Sequence, residues 1–307
     1  MKIGIIGLGD IASKAYLPVI GTRADIQSYI CTRNEAVLHE IGTRYRIPEE
    51  CRFSRIQDLL DAGIEAAFVH TATESHYDIA RELLSNGIHV YVDKPLSYKL
   101  SQSRQLAELA NKNNLALMVG FNRRFAPAYQ NVKQLSVPDL ILMQKNRVNL
   151  AAPVRTVILD DFIHVVDTLR YYCSEPVKDM HIRWKMSKSN LSYVVIELCG
   201  TRYTAIGMMN RESGITEEIL EVISIGSKWK VVDIRDTTYY HDGEHKTKMG
   251  DWVSVGVARG FDAIVEYFLT LIKEGSSNDF RYIIEDNLKT HEICEEIVRQ
   301  IEAGLHE

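Results

Sequence analysis

The stretch Lys2–Ala12, KIGIIGLGDIA, constrains this chain more than any other. Its apolar start, Lys2–Ile6, reads as a buried strand that runs straight into a glycine turn and then a helix. The turn carries Gly7-x-Gly9-x-x-Ala12, the dinucleotide fingerprint with alanine in third place. Each position has a physical reason. Gly7 allows a tight turn. Gly9 lacks a Cβ, so a pyrophosphate can approach the backbone. Ala12 is small enough for the helix to pack closely on the strand. The backbone of Gly7, Leu8, Gly9, Asp10 and Ile11 is the expected cradle, because free N–H groups and the helix dipole face a phosphate there. A glycine turn with a purely structural role is the alternative; the strand before it and the helix after it favour the dinucleotide.

Strand-like and helical segments alternate from here to residue 120. Ser13–Ile20 continues the first helix, with Pro18 near its end. Ile26–Cys31 is a second strand. Thr32, Arg33 and Asn34 follow it, about 20 residues past the glycine turn, where an adenosine ribose is read. A carboxylate is usual there in NAD-selective proteins and would repel a 2′-phosphate. A hydroxyl and a guanidinium would bind one. The pair Thr32–Arg33 therefore predicts a preference for NADP(H), with NAD(H) as the alternative cofactor. The alternative is that Arg33 is a solvent-exposed turn residue or stacks on adenine without choosing a cofactor.

Glu35–Tyr45 and Ile56–Ala62 are helical, and Ala66–His70 is a buried strand ending in Thr71, Ala72 and Thr73. Ser75–Asn86 is a helix with Gly87 at its end. His76, in its first turn, either approaches the cofactor or caps and packs. His70 and His89 read as structural. Ile88–Val92 is a strand ending in Asp93-Lys94-Pro95, Leu100–Asn111 a helix, and Leu115–Gly120 a last strand. Such alternation implies a doubly wound parallel sheet, the Rossmann arrangement, whose ligands bind outside the carboxyl ends of the strands. Five segments fall at such ends: the glycine turn, Thr32–Arg33, Thr71–Thr73, Asp93–Pro95 and Gly120–Arg124.

The expected boundary is at residue 120, with a dinucleotide-binding domain over 1–120 and an α+β domain for substrate binding and oligomerisation over 121–307. In the second part Ala126–Leu135 reads as a helix, Leu140–Val148 as a strand, Asn149–Thr156 as a loop and Leu159–Tyr172 as a helix. Strand-like runs follow at Met180–Met186, Tyr193–Leu198, Tyr203–Met209, Leu220–Ile225 and Lys228–Ile234. Tyr239 and Tyr240 before Asp242-Gly243 suggest a hairpin. Short connections between these runs imply a large, open, mostly antiparallel sheet. Arg259–Glu274 and Tyr282–Ala303 close the chain as helices.

Composition narrows the function. The 307 residues suffice for two cores, and 46% hydrophobic with 25% charged residues is an ordinary globular balance. A formal net charge of -5 with no dense basic run argues against nucleic acid or an anionic membrane as partner. No apolar run has membrane-spanning length, and Ile3–Leu8 is too short for a signal-peptide core. Cys31, Cys51, Cys173, Cys199 and Cys294 are scattered, odd in number and without CxxC spacing. They read as free thiols in a reducing cytoplasm, and their spacing indicates no zinc site.

GIIGLGDIA at 4–12, VDKPL at 92–96, GFNRRFAPAY at 120–129 and LDDFIHVVDTLRYY at 159–172 together resemble the Gfo/Idh/MocA family of nicotinamide-dependent oxidoreductases. The resemblance covers essentially the whole chain and is strongest to the MviM-like, so-called virulence-factor branch. Two departures stand out. Asp93 replaces the glutamate of the family's Glu-Lys-Pro, and Val157-Ile158-Leu159 replaces a glycine-rich run before Asp160. The resemblance implies Lys94, Asp160 and His164 as catalytic residues, and Asp160, His164 and Asp167 match the motif by spacing. It also implies a polyol, sugar or related hydroxyl compound as substrate, and a homo-oligomer, dimer or tetramer, formed through the C-terminal sheet.

In a helix, Asp160, His164, Asp167 and Tyr171 fall on one face at i, i+4, i+7 and i+11. Alone, that stripe could be merely solvated. With a cofactor fold beside it, it supports hydride transfer between nicotinamide and a carbinol or carbonyl carbon. His164 would move the proton, Lys94 polarise the substrate oxygen or relay the proton, and Asp160 orient substrate or His164. Asn122 and Arg123 are expected at the nicotinamide or the substrate; Arg124 reads equally well as an ion pair. Asp93 and Lys94 are expected against the cofactor, and Lys94, Arg123, Asp160, His164 and Asp167 against the substrate. The rival readings are a non-catalytic NADP-binding regulator and a metal site built on Asp160, His164 and Asp167.

Overall fold

The computed structural model describes residues 1–305. In chain order its first elements are β1 (Lys2–Ile6), a π turn (Ala12–Tyr16) continued by α1 (Leu17–Ile20), β2 (Gln27–Cys31), α2 (Glu35–Arg44), β3 (Arg52–Phe53) and α3 (Ile56–Asp61). Next come β4 (Ala66–Val69), α4 (Thr73–Ser85), β5 (His89–Val92), α5 (Leu100–Asn113), β6 (Leu117–Val119) and α6 (Pro127–Leu135). The middle of the chain forms β7 (Leu140–Asn146), α7 (Val154–Val157), a second π turn (Ile158–Phe162), α8 (Ile163–Tyr172), β8 (Asp179–Ser187), β9 (Asn190–Cys199) and β10 (Thr204–Asn210). The last elements are β11 (Glu217–Ser224), β12 (Ser227–Val232), β13 (Asp236–Tyr240), β14 (Glu244–Thr247), α9 (Val255–Ala258), α10 (Phe261–Glu274) and α11 (Ser277–Gly304).

The chain forms two compact units: residues 1–120 with 261–289, and residues 121–260 with 290 onward. In the first, a six-stranded sheet has the order β3-β2-β1-β4-β5-β6, and every pair is parallel. Strands covered on both faces have no reason to alternate, and β4 is buried at all four positions. The core is aromatic: Phe68 packs against Tyr91 and Phe268, and the Tyr16 ring lies on His70. Through such contacts, with Phe261 against Tyr16 and Phe280 against His89, the late segment Phe261–Lys289 belongs to this unit.

The helix expected over Ser13–Ile20 is irregular. A π turn precedes α1, and Pro18 sits in the first turn of α1. Proline has no N–H to give the carbonyl four residues back and its ring crowds that carbonyl, so the wider turn upstream accommodates it. The two-residue β3, which pairs with β2, is too short to register as periodicity.

The second unit is built on an eight-stranded sheet of order β14-β13-β12-β11-β7-β10-β9-β8. It is antiparallel throughout except for β7 and β10, which run parallel. Helix α8 lies on one face. A Cβ on Gly207 of β10 would come within 2.8 Å of Val165 and 2.9 Å of Leu169, so the bare glycine backbone lets α8 approach. The expected Asp242-Gly243 hairpin is present between β13 and β14. Among the described residues no helix is long and apolar enough to cross a membrane.

Candidate functional site

In the first unit the strand order reverses between β1 and β4, and the expected ligand edge lies at the carboxyl ends of these strands. Gly7 has φ +86°, and a Cβ there would meet the Thr71 nitrogen at 2.7 Å, so the ends of β1 and β4 touch through a glycine. A Cβ on Gly9 would meet nothing within 4 Å. The space over that backbone is open, which fits a phosphate cradle. Leu8 is buried beneath the turn, and the exposed Asp10 pairs with Lys14 at 2.5 Å. Ile11 is half-buried beside the fully buried Ala12.

After β2, the Thr32 hydroxyl accepts from the Asn34 N–H at 3.4 Å, and Asn34 caps α2 by accepting from the Val37 N–H at 3.1 Å. Arg33 is exposed and has no ion-pair partner among the described residues. After β4, the Ser75 hydroxyl donates to Thr71 Oγ1 at 2.8 Å, Ala72 is the N-cap of α4 and Thr73 its first residue. His76 behaves differently from a ligand contact. It is 1% exposed, with Nδ1 2.8 Å from the Pro95 carbonyl and Nε2 3.0 Å from the Thr71 carbonyl. Both nitrogens are thus occupied by backbone, and the ring braces the loops after β4 and β5.

Asp93 and Lys94 leave β5 half-buried, and the Lys94–Pro95 peptide is cis. Desolvation raises the Asp93 pKa, and the nearby Lys94 and His76 offset this only in part. Tyr16 and Tyr91 share a 2.7 Å hydroxyl hydrogen bond here, and burial raises both pKa values well above normal. Their rings also enclose His70, whose pKa burial lowers to about 3, so His70 is a neutral core residue as expected.

The second unit holds the other expected residues. Asn122 is buried, donating to the Arg259 carbonyl at 2.8 Å and accepting from Arg123 at 3.3 Å. Arg123, expected at the nicotinamide or the substrate, is held in a buried ion pair. Its guanidinium grips Glu218 of β11 with both arms, Nε to Oε1 at 2.8 Å and Nη2 to Oε2 at 2.9 Å, and it is 6% exposed. Burial works to raise the Glu218 pKa, but Arg123 outweighs it and holds the pKa at about 2. Asp167, expected against the substrate, is likewise held in an ion pair. At 1% exposure it takes both arms of Arg124, at 2.8 and 2.6 Å, and the Thr290 hydroxyl at 2.9 Å. Arg123 and Asp167 therefore hold the unit together. The Arg124 guanidinium lies between the Phe121 and Tyr171 rings, 5.8 and 5.9 Å from their centres.

Asp160 lies in the π turn and His164 in α8, half-buried and 7% exposed respectively. The stripe is therefore not a solvated face. Because the π turn closes over five residues instead of four, regular α spacing does not run from Asp160 to Tyr171.

Sequence reasoning missed Asp161. Its carboxylate gathers Lys145 at 2.6 Å, Arg147 at 2.8 Å and the Arg211 guanidinium. Burial opposes its ionisation, but Lys145 and Arg147 outweigh it, and its pKa falls far below the ordinary value. Lys145 is 1% exposed, and burial together with Arg123 lowers its pKa to about 7 despite Asp161 and Glu218. The available signal was Lys145-Asn146-Arg147 at the end of a strand that begins apolar, Leu140–Met143, paired with the second aspartate of Asp160-Asp161.

Comparison with known proteins agrees with this arrangement. Residues 1–121 match the model of an oxidoreductase family with an NAD-binding Rossmann fold, and residues 127–242 match the YceM-like C-terminal domain. The Salmonella typhimurium protein YceM is 32% identical over 283 residues, covering 89% of this chain and 90% of YceM. A Gfo/Idh/MocA family oxidoreductase from Vibrio cholerae superposes with a TM-score of 0.93 at 33% identity over 100% of both chains. The dehydrogenase MviM from Clostridium difficile does so with a TM-score of 0.90 at 32% identity, over 98% of this chain and 99% of that one. With the parallel nucleotide-binding sheet, the open mostly antiparallel sheet and the DKP and DDFIHVVD segments in place, the chain belongs to the Gfo/Idh/MocA family of oxidoreductases.

Proposed function

We propose that this chain is a dehydrogenase that moves a hydride between NADP(H) and a carbinol or carbonyl carbon of a sugar, polyol or related small molecule. The observation that carries the reading is the ligand edge of the first unit: open space over Gly9, with Thr32 and the exposed Arg33 at the end of the neighbouring strand. The substrate class rests on relatives. A Thermotoga maritima protein 23% identical over 304 residues, covering 91% of this chain and 89% of that protein, is named a myo-inositol 2-dehydrogenase.

Gly7–Ile11 would hold the pyrophosphate through backbone N–H groups, Thr32 and Arg33 the 2′-phosphate, and Thr71–Thr73 and Lys94 the rest of the cofactor. When bound, the nicotinamide supplies or accepts the hydride. His164 takes the proton of the substrate hydroxyl during oxidation and returns it during reduction. Lys94 donates a hydrogen bond to the substrate oxygen, and Asp160 orients the substrate or His164. The working protein is a cytoplasmic homo-oligomer joined through the second unit's sheet.

Titration of NADPH and NADH fluorescence on the wild type and Arg33→Ala tests the cofactor assignment. Without the charge-assisted hydrogen bond from Arg33, NADPH should bind roughly 10-fold to 100-fold more weakly, with NADH unchanged. Equal binding of both cofactors, untouched by the substitution, would overturn the NADP(H) preference. Turnover of a polyol or sugar panel, abolished by Lys94→Ala and by His164→Ala while cofactor still binds, separates the enzyme from a non-catalytic NADP-binding regulator.

A further inference from the structure

Strands β8 and β9 form the end of the eight-stranded sheet, with β8 at its edge. Their register sets His181 opposite Glu197 and Asp179 opposite Cys199. Residues two apart on a strand share a face, so these four side chains occupy one corner of one face. The ladder continues past the corner, where the Lys178 N–H donates to the Cys199 carbonyl at 2.8 Å. Ligand atoms of His181, Glu197 and Cys199 all lie within 4.8 Å of one another. His181 Nε2 also stands 3.4 Å from Asp179 Oδ2.

We infer that His181, Glu197 and Cys199 form a binding site for a divalent transition-metal ion of the zinc type, with Asp179 orienting the imidazole. Zinc–ligand distances place the atoms of a tetrahedral shell roughly 3.5 Å apart, so the cluster must close by about 1 Å. Rotation of the exposed His181 and half-buried Glu197 side chains supplies that movement. A thiolate, an imidazole and a carboxylate suit zinc or cobalt and disfavour magnesium and calcium, which take oxygen ligands. A carboxylate on the second imidazole nitrogen is a recurrent partner of metal-bound histidine, and water completes the fourth position. Burial, Glu197 and Asp179 all hold the Cys199 thiol protonated. An arriving cation reverses the effect of the two carboxylates: a sulfur–metal bond forms, the S–H bond breaks, and the proton leaves to water. No CxxC motif announces such a site because strand pairing assembles it across 18 residues of sequence, from His181 to Cys199. Bridging β8 to β9 would pin an edge strand that has only one neighbour.

Cobalt(II) titration of the full chain, after removal of metal by chelator, is the direct test. The expected result is a thiolate-to-cobalt charge-transfer band that saturates at one ion per chain and is displaced by zinc. Cys199→Ser abolishes the band, His181→Ala weakens zinc binding at least about 100-fold, and Asp179→Asn weakens it roughly 10-fold. Zinc also protects Cys199, among the five cysteines, from alkylation read by mass spectrometry. A wild type without the band, a band that survives Cys199→Ser, or alkylation of Cys199 indifferent to zinc would each overturn the site. None of the three replaced side chains belongs to the buried core, and circular dichroism confirms that each variant is folded.

Discussion

Arg123 presents two parallel N–H bonds to both oxygens of Glu218, and Tyr129 adds its hydroxyl at 3.3 Å. Removing one charge from such a pair strands the other in a dry site, which costs about 3–5 kcal/mol. Glu218→Gln should therefore lower stability by about that amount at pH 7, measured by urea unfolding. The pH dependence has a definite sign. The folded pKa of about 2 lies below the unfolded value of ~4.3, so the stabilisation is complete above the unfolded pKa and is lost as pH falls through about 2. The gap between wild type and Glu218→Gln should be constant from pH 7 to pH 5 and shrink below pH 4; a gap that stays constant to pH 2.5 would refute the pairing. Sequence could place Arg123 at a strand end and so at a ligand edge. Its partner lies 95 residues away on another strand, and no local pattern announces it. The partners of Asp167 were illegible for the same reason, since Thr290 is 123 residues distant. Gly7 and Gly9 were legible because their requirement is local: one positive φ at a close approach, one open backbone.

Periodicity located most helices and strands, since burial follows side-chain spacing, yet the short β3, α7 and α9 and both π turns escaped it, α7 beginning inside the expected loop Asn149–Thr156. A π turn changes the residue count of one turn, and only the hydrogen bonds reveal that. The turn at Ile158–Phe162 matters most, because it carries both Asp160 and Asp161 and sets them against α8. Lys145 and Arg147 reach Asp161 from β7 and the residue just past it, so strand and turn are tied by charge as well as packing. Where α8 crosses the sheet, the tolerance is measured by Gly207. Its missing Cβ leaves 2.8 Å to Val165, closer than any side chain can stand. Gly207→Val should push helix and strand apart and cost about 1–3 kcal/mol, read as a lower urea midpoint, whereas the same change at Gly214, whose added Cβ meets nothing, should cost far less. Equal losses at the two glycines would mean that helix and sheet are not in contact at this point.

At the scale of the molecule, strict strand–helix alternation made a doubly wound parallel sheet legible, whereas its strand order, β3-β2-β1-β4-β5-β6, is a finding of the structure. The second sheet was legible as antiparallel and large, but its one parallel pair was not. Strand β7 lies beside β10 although α8, β8 and β9 intervene, and no turn signal encodes so distant a pairing. The same sheet sets the last expectation. With α8 on one face, the opposite face presents Leu142, Ile206, Met208 and Ile219 around a depression of about 280 Å³, bordered by Gln144, Glu221 and Lys230. A second copy placed on this face across a two-fold axis would bury these apolar groups reciprocally. In such an interface each substitution acts twice, so Ile206→Asp places two unpaired carboxylates in a drying contact. That should weaken association about 100-fold or more, because each buried unpaired charge costs well over the ~1.4 kcal/mol of a tenfold change. Sedimentation velocity at micromolar protein should show a dimer or tetramer for the wild type and a monomer for Ile206→Asp, with unchanged circular dichroism. A monomeric wild type, or a variant that keeps the wild-type mass, would mean that this face stays in water and that the oligomer, if one forms, uses another surface.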